Sequence, residues 1–262
     1  MPTDLKALWD APETAGFWPA GVQRVILDEA DSTMAEARRR ADEFSGPTWI
    51  MAHQQSAGHG RRGRPWHMPK GNFAATLIFR PDSSPANAAL RSFIASLALY
   101  QTLAMTAPAD RISLKWPNDV LLDGAKVAGI LLESEGRGAR VDWLAVGIGV
   151  NLAASPGVDT LEAGAIPPIS LVEATGKTVS PEDFLFWLAS HFADLEQQFQ
   201  EQGFEPLRQL WLRHAARVGQ QITARTARES LTGTFETIDD AGQLVLLTPK
   251  GQVAISAGDV FF

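Results

Sequence analysis

The chain has no cysteine among its 262 residues. That absence excludes disulfides, thiolate zinc sites and a cysteine nucleophile, and it is compatible with a reducing compartment, so the expected location is cytoplasmic. Basic charge is also scarce: 23 Lys and Arg face 30 Asp and Glu, and the net charge of −7 argues against broad coating of nucleic acid or of an anionic membrane. The first residues, MPTDLKALWDAPETAG, hold neither a basic n-region nor an apolar run, so no secretory signal is expected. The most apolar long segment, 88–105, is interrupted by Arg91, Ser92, Ser96, Gln101 and Thr102, and no stretch approaches an unbroken membrane span. Internal repeats and low-complexity tracts are absent.

Common catalytic signatures are missing too. The histidines at 53, 59, 67, 191 and 214 form no H-E-x-x-H and no convincing metal spacing. No G-x-S-x-G elbow occurs. Gly176-Lys177-Thr178 supplies half of a Walker A loop, but Leu171 stands where its leading glycine belongs.

What is present is ordinary globular material, 45% hydrophobic and 20% charged, enough for a sizeable core. At about 150 residues per domain the length fits one large domain with a small appendage. The pattern predicts strands at 24–30, 48–54, 72–80 and 141–152, and a helix over 34–43 opened by Asp31, Ser32 and Thr33, with Glu36 completing a capping box on Thr33. Leu90, Phe93, Ile94, Leu97, Tyr100 and Leu103 share a face, which marks a helix over 88–105. Residues 112–135 read as a strand, a Pro-Asn-Asp turn and a hairpin with a type I′ turn at Asp123-Gly124. Residues 153–180 read as loops with one short helical piece, followed by a long helix over 181–201 with Pro at N1. From about 215 the texture changes to short strands, QQITAR, LTGTFETID, QLVLLT and QVAIS, spaced as in a small SH3-type barrel. The expectation is an α+β fold, a mixed sheet against helices over 1–214 and an SH3-like β-barrel over 215–262.

Residues 58–66, GHGRRGRPW, carry glycines in G-x-G-x-x-G spacing. A dinucleotide turn must open a helix, and Pro65, Trp66, Pro69, Gly71 and Asn72 prevent one, so the glycine match is coincidental. Glycines let a backbone approach an anion closely, and guanidinium forks suit phosphate or carboxylate. The bland alternative is a solvated surface turn. Lys115-Trp116-Pro117-Asn118-Asp119 adds a lysine, an amide and a carboxylate at a strand end, and Lys126 follows the hairpin turn. Taken singly, Lys126 reads as a solvent-facing hairpin residue and Asp119 as a turn former.

Together, Gln55 with GHGRRGRPW, KWPNDV at 115–120, KVAGILLE at 126–133 and VGIGVNL at 146–152 resemble the biotin protein ligases, in order and spacing, from about residue 24 onward. The resemblance implies a sheet-and-helix fold like that of class II aminoacyl-tRNA synthetases. It also implies a two-step reaction, in which biotin and MgATP give biotinyl-5′-adenylate and a lysine of a biotin carboxyl carrier domain, usually of acetyl-CoA carboxylase, then takes the biotinyl group. The implied biotin residues are Ser32, Thr33, Met34, Gln55, His59, Gly60, Arg61, Lys126, Gly129 and Gly149. Within that set Ser32, Thr33 and Gln55 would bond the ureido ring, and Gly60, Arg61 and Lys126 would hold carboxylate and phosphate. The implied adenylate residues are Arg61, Arg62, Arg64, Trp66, Asn118, Lys126 and Asn151, with Trp66 on the adenine side. Arg61, Lys126 and Asp119 would form the catalytic set, and Asp119 would position Mg2+.

Two positions depart from the family pattern: His59 stands where Arg is common, and Met34 where Asn is frequent. An uncharged His59 would give the adenylate less positive charge than arginine does. The expected assembly is a monomer or weak homodimer without DNA or membrane partners. A lipoate protein ligase is the nearest rival, but its usual Arg-Arg-glycine-triplet and His-Asp motifs are absent. A DNA-binding repressor would need more than the twenty or so residues preceding the first strand. A non-catalytic binding module built on the SH3-like tail is the remaining reading.

Overall fold

The computed structural model describes residues 18–157 and 166–262; the lead segment and part of the 153–180 stretch lie outside them. The main sheet has seven strands: β1 (Gln23–Ala30), β2 (Thr48–Gln55), β3 (Phe73–Phe79), β4 (Ile112–Lys115), β5 (Asp119–Leu122), β6 (Ala125–Arg137) and β7 (Arg140–Val150), in the order β1-β2-β3-β7-β6-β5-β4. Only β1 and β2 run parallel, joined across helix α1 (Thr33–Arg39). Every other neighbouring pair is antiparallel. This is the mixed α+β architecture the motif order implies.

Alternation along the strands assigns the two faces. Trp49 and Met51 of β2, Ala75 and Leu77 of β3, and Leu144, Val146 and Ile148 of β7 join the large core. That core lies under α3 (Arg91–Ala104) and α5 (Pro181–Gln202). The intervening residues Ile50, Ile78, Trp143 and Ala145 face the other way and are covered by Met34 and Ala37 from α1 and by Ala41 just after it. Because α1 is only seven residues long, it leaves part of this second face open. The residues there are small: Ala74 and Thr76 on β3, Gly147 and Gly149 on β7, Gly129 on β6.

Several elements differ from expectation. Helix α1 ends at Arg39, and its N-cap is Ser32, whose hydroxyl accepts from Ala35 N; Glu36 pairs with Arg39 and Arg40 and completes no capping box. The expected 88–105 helix is two pieces, α2 (Pro85–Ala89) and α3, meeting at Leu90. The type I′ turn is as expected, with Asp123 and Gly124 both at positive φ (52° and 75°). The short helical piece is α4 (Leu171–Thr175), which carries a capping box between Ser170 and Glu173. Helix α5 starts with Pro at N1, and α6 (Glu205–His214) follows it unannounced.

The C-terminal unit is a five-stranded antiparallel sheet, β11-β10-β9-β8-β12, built from β8 (Gln221–Arg225), β9 (Ser230–Ile238), β10 (Leu244–Thr248), β11 (Gly251–Ile255) and β12 (Asp259–Phe261). Its apolar side joins the large core through Ile222, Phe235, Ile238, Leu244 and Leu246. Polar ties reinforce that seam: Trp116 Nε1 donates to Gly242 O at 3.1 Å and Arg208 Nη1 to Ile238 O at 2.8 Å.

Candidate active site

The open part of the second face is a cleft of about 550 Å³, lined by α1, β2, β3, β4–β7, the 56–70 loop and β12. Its floor is backbone. Gly129 and Gly149 stand opposite each other on β6 and β7, and the Trp66 indole lies against both. A methyl on Gly149 would come within 2.6 Å of Trp66 Nε1 and one on Gly129 within 3.3 Å of Cζ3. Gly149 is therefore required by close approach, since a side chain there would expel the ring, while a methyl at Gly129 would only crowd it. Trp66 Nε1 is buried without a hydrogen-bond partner.

At one end, Gln55 Oε1 accepts from Thr33 N (2.8 Å) and Thr33 Oγ1 (3.3 Å), while Thr76 Oγ1 donates to Thr33 Oγ1 (2.9 Å). Gln55 thus spends its oxygen on α1, and its NH2 remains for a ligand. Ser32 caps α1 from the same wall. Met34 lines the cleft but also packs into the cluster beneath α1, with its Cε beside Gly147.

The 58–66 segment is a closed loop. Trp66 N donates to Gly58 O at 2.9 Å and Gly60 N to Arg64 O at 2.8 Å, and Arg62 takes a left-handed conformation (φ 59°) at the tip. His59 Nε2 is 3.4 Å from Glu133 Oε1, so it ties the loop to β6. Arg61 Nη1 donates to Asn118 Oδ1 (3.2 Å) and Nη2 to Gly258 O (3.1 Å). Arg62 and Arg64 each place a guanidinium nitrogen 2.9 Å from Asp259 Oδ2, with Arg61 3.5 Å from its Oδ1. Burial pushes the Asp259 carboxyl up, but the three guanidinium groups hold it below the usual carboxylate range.

At the other end Lys126 Nζ is 2.6 Å from Asp119 Oδ1, 5.8 Å from the Trp66 ring centre, and Lys115 Nζ is 3.5 Å from Asp119 Oδ2. Burial raises the Asp119 carboxyl, yet the ammonium groups of Lys126 and Lys115 outweigh it and keep the group ionised. Asn118 Nδ2 donates to Ile130 O at 2.6 Å, which fixes the amide that faces Arg61. Asn151 is buried, its NH2 directed to Ile169 O (3.3 Å) and Lys126 O (3.5 Å), and so braces the backbone carrying Lys126.

Of the sequence-designated residues, all but Arg62 line this cleft; Arg62 is outside the lining but pairs with Asp259, which is part of it. Arg61 and Lys126 meet there from separate segments.

Two family models match the chain: the Biotin/lipoate A/B protein ligase family over residues 26–151 and the Biotin protein ligase C terminal domain over 218–262. A biotin--[acetyl-CoA-carboxylase] ligase of Paracoccus denitrificans is 52% identical over 90% of this chain and 99% of its own length. The chain belongs to the biotin protein ligase family. Another member, the bifunctional ligase/repressor BirA of Bacillus subtilis, is 31% identical over 92% of this chain and 74% of its own. Among solved structures, the biotin protein ligase from Aquifex aeolicus in complex with biotin and ATP superposes with a TM-score of 0.76 at 25% identity, covering 91% of this chain and 97% of the other.

Within this ligase fold, sequence reasoning missed Thr76, Lys115 as a cleft residue, and Asp259. Thr76 sits in the strand NFAATLIFR as a polar residue among apolar ones, a legible signal. Asp259 carries no local signal, because its partners lie 195 and 197 residues away.

Proposed function

We propose that the chain is an ATP-dependent biotin protein ligase that makes biotinyl-5′-adenylate and passes the biotinyl group to a lysine of a biotin carboxyl carrier domain. The observation that carries this reading is the convergence of Arg61 and Lys126, from separate segments, on a cleft whose other end offers Ser32, Thr33 and Gln55. In the first step a biotin carboxylate oxygen attacks the α-phosphorus of ATP, and the bond to the bridging oxygen breaks with loss of pyrophosphate. Two anions must meet. At about 4 Å and an effective dielectric near 20, one repelling charge pair costs about 4 kcal/mol. Arg61 and Lys126 offset that repulsion, and because the nucleophile is already an anion, electrostatic positioning dominates over proton transfer. In the second step the neutral lysine amine of the carrier attacks the acyl carbon, AMP leaves, and the amine sheds a proton to solvent.

The Ser32 and Thr33 hydroxyls and the Gln55 NH2 offer donors and acceptors suited to a ureido ring, with apolar walls around them, the usual design of a small-ligand site. Trp66 and the glycine floor supply a flat surface for the adenine side.

The donor set does not fit a resident magnesium ion bound directly by Asp119. The two carboxylates lining the cleft, Asp119 and Asp259, are held by lysines and by arginines, and no cluster of three His, Asp or Glu suited to a metal exists among the described residues. Mg2+ is expected instead as the companion of the ATP phosphates, the common manner of its binding. The acceptor is expected to be the carrier protein of acetyl-CoA carboxylase and the location the cytoplasm; no helix among the described residues is long and apolar enough to cross a membrane.

Mass spectrometry of the chain incubated with biotin, ATP and Mg2+ should reveal biotinyl-AMP, with lipoate and octanoate giving none. Lipoyl-AMP or octanoyl-AMP in its place would move the assignment to the lipoate branch.

A further inference from the structure

Lys115 is a charged side chain of the cleft to which the mechanism above gives no task. Lys115 ends β4, is 8% exposed, and lines the cleft. The sheet dictates its place: β4 and β5 are linked by residues 116–118 alone, and their register sets Lys115 opposite Asp119. Opposed residues of an antiparallel pair project to the same face. Nζ therefore lies beside the carboxylate, while Lys126 reaches the other oxygen from β6.

One buried carboxylate is thus shared by two ammonium groups of different freedom. The Lys126 side chain is 31% exposed and that of Lys115 only 9%. The proposed reaction, on which this inference rests, asks Lys126 to turn toward the reacting anions. A buried carboxylate deserted by its only cation is strongly disfavoured, and that penalty would hold Lys126 back.

We propose that Lys115 is a positioning residue that takes over Asp119 when Lys126 turns to substrate, so that Lys126 is released without stranding a buried charge. Lys115 itself touches no reacting atom. Burial pushes its ammonium below the usual lysine range while Asp119 pulls it back up, so its charge is tied to the carboxylate it serves.

The test uses the full chain with biotin, ATP and Mg2+, following biotinyl-AMP formation in a single turnover. A wild-type chain that makes no biotinyl-AMP would overturn the functional reading and this inference with it; an active wild type puts the inference alone on trial. Lys115→Met is expected to slow adenylate formation by about 100-fold, the loss typical of a misplaced catalytic group, with KM for biotin and ATP within about threefold of wild type. Lys115→Arg, which keeps the cation, should recover most of that rate. In an Asp119→Asn background, adding Lys115→Met should cost less than about threefold, because no carboxylate remains to be held. A loss expressed in KM, an arginine that fails to rescue, or an undiminished loss in the Asp119→Asn background overturns the proposal. Calorimetric biotin binding verifies that each variant is folded, and Lys115→Gln replaces the methionine variant if that one is not.

Discussion

Replacing Gly149 with alanine tests whether the cleft floor is bare because a flat ring must rest on it. The new methyl would stand 2.6 Å from Trp66 Nε1 and 2.7 Å from Cζ2. Carbon atoms settle at about 3.5–4.0 Å, so the overlap is about 1 Å. The flat indole lies directly over this position, so it must shift off the floor to make room for the methyl. Overpacking of this kind costs about 1–3 kcal/mol, which corresponds to about a 5- to 150-fold loss of affinity. Titration calorimetry with biotin, and with a non-hydrolysable biotinyl-AMP analogue, measures the loss directly. Gly147→Ala is the control. Its methyl would meet Met34 Cε at 2.8 Å, the free end of a flexible thioether that can move aside, so the effect should be clearly smaller. Wild-type affinity in Gly149→Ala, or a larger loss in Gly147→Ala, would refute the reasoning.

Lys126→Ala should slow adenylate formation by about a thousandfold, the equivalent of losing one cation worth about 4 kcal/mol at contact distance; pyrophosphate release reports it. Arg61→Gly should release biotinyl-AMP faster than wild type, measured as a dissociation rate, because the guanidinium that joins Asn118 and Gly258 across the cleft is gone. Arg91→Met leaves Glu196 of α5 without its ion partner, 2.8 Å away on α3, and should destabilise the fold by about 3–5 kcal/mol in urea denaturation. Asp259→Asn should lower the thermal midpoint at pH 7. The folded Asp259 carboxyl lies below its unfolded value of about 4, so its contribution is complete above that pH and fades as the pH falls through the lower folded value. The gap between wild type and Asp259→Asn should therefore narrow below pH 4.

Local signals carried much of the architecture. The Asp123-Gly124 pair announces its turn because few residues other than glycine, asparagine and aspartate tolerate two successive positive φ values. Pro181 marks the start of α5 because a missing N–H costs nothing there. Other features depend on competition between partners. Thr33 looks like a cap beside Glu36, yet its hydroxyl is engaged by Gln55 and Thr76, and Ser32 caps instead. Helix α6 went unread although Leu207, Leu210 and Trp211 have helical spacing and Pro206 stands in its first turn, because Gly203 and the short run before the tail strands read as a connection. Arg61, Arg64 and Lys126 were visible as a set, through their shared motifs, but Lys115 was not assigned to the cleft. Of their counter-ions, Asp119 was visible in the same motif, whereas Asp259 was not, because its pairing with the loop arginines is created by the fold alone.

That long-range pairing also sets an order of events. Ribosomes deliver the arginine loop nearly two hundred residues before the aspartate that grips it, and domains tend to fold as they emerge. A nascent chain therefore carries its arginine loop without the Asp259 grip through most of translation, held to the main sheet by His59–Glu133 and Arg61–Asn118, and the cleft gains its β12 wall only when the small tail sheet docks.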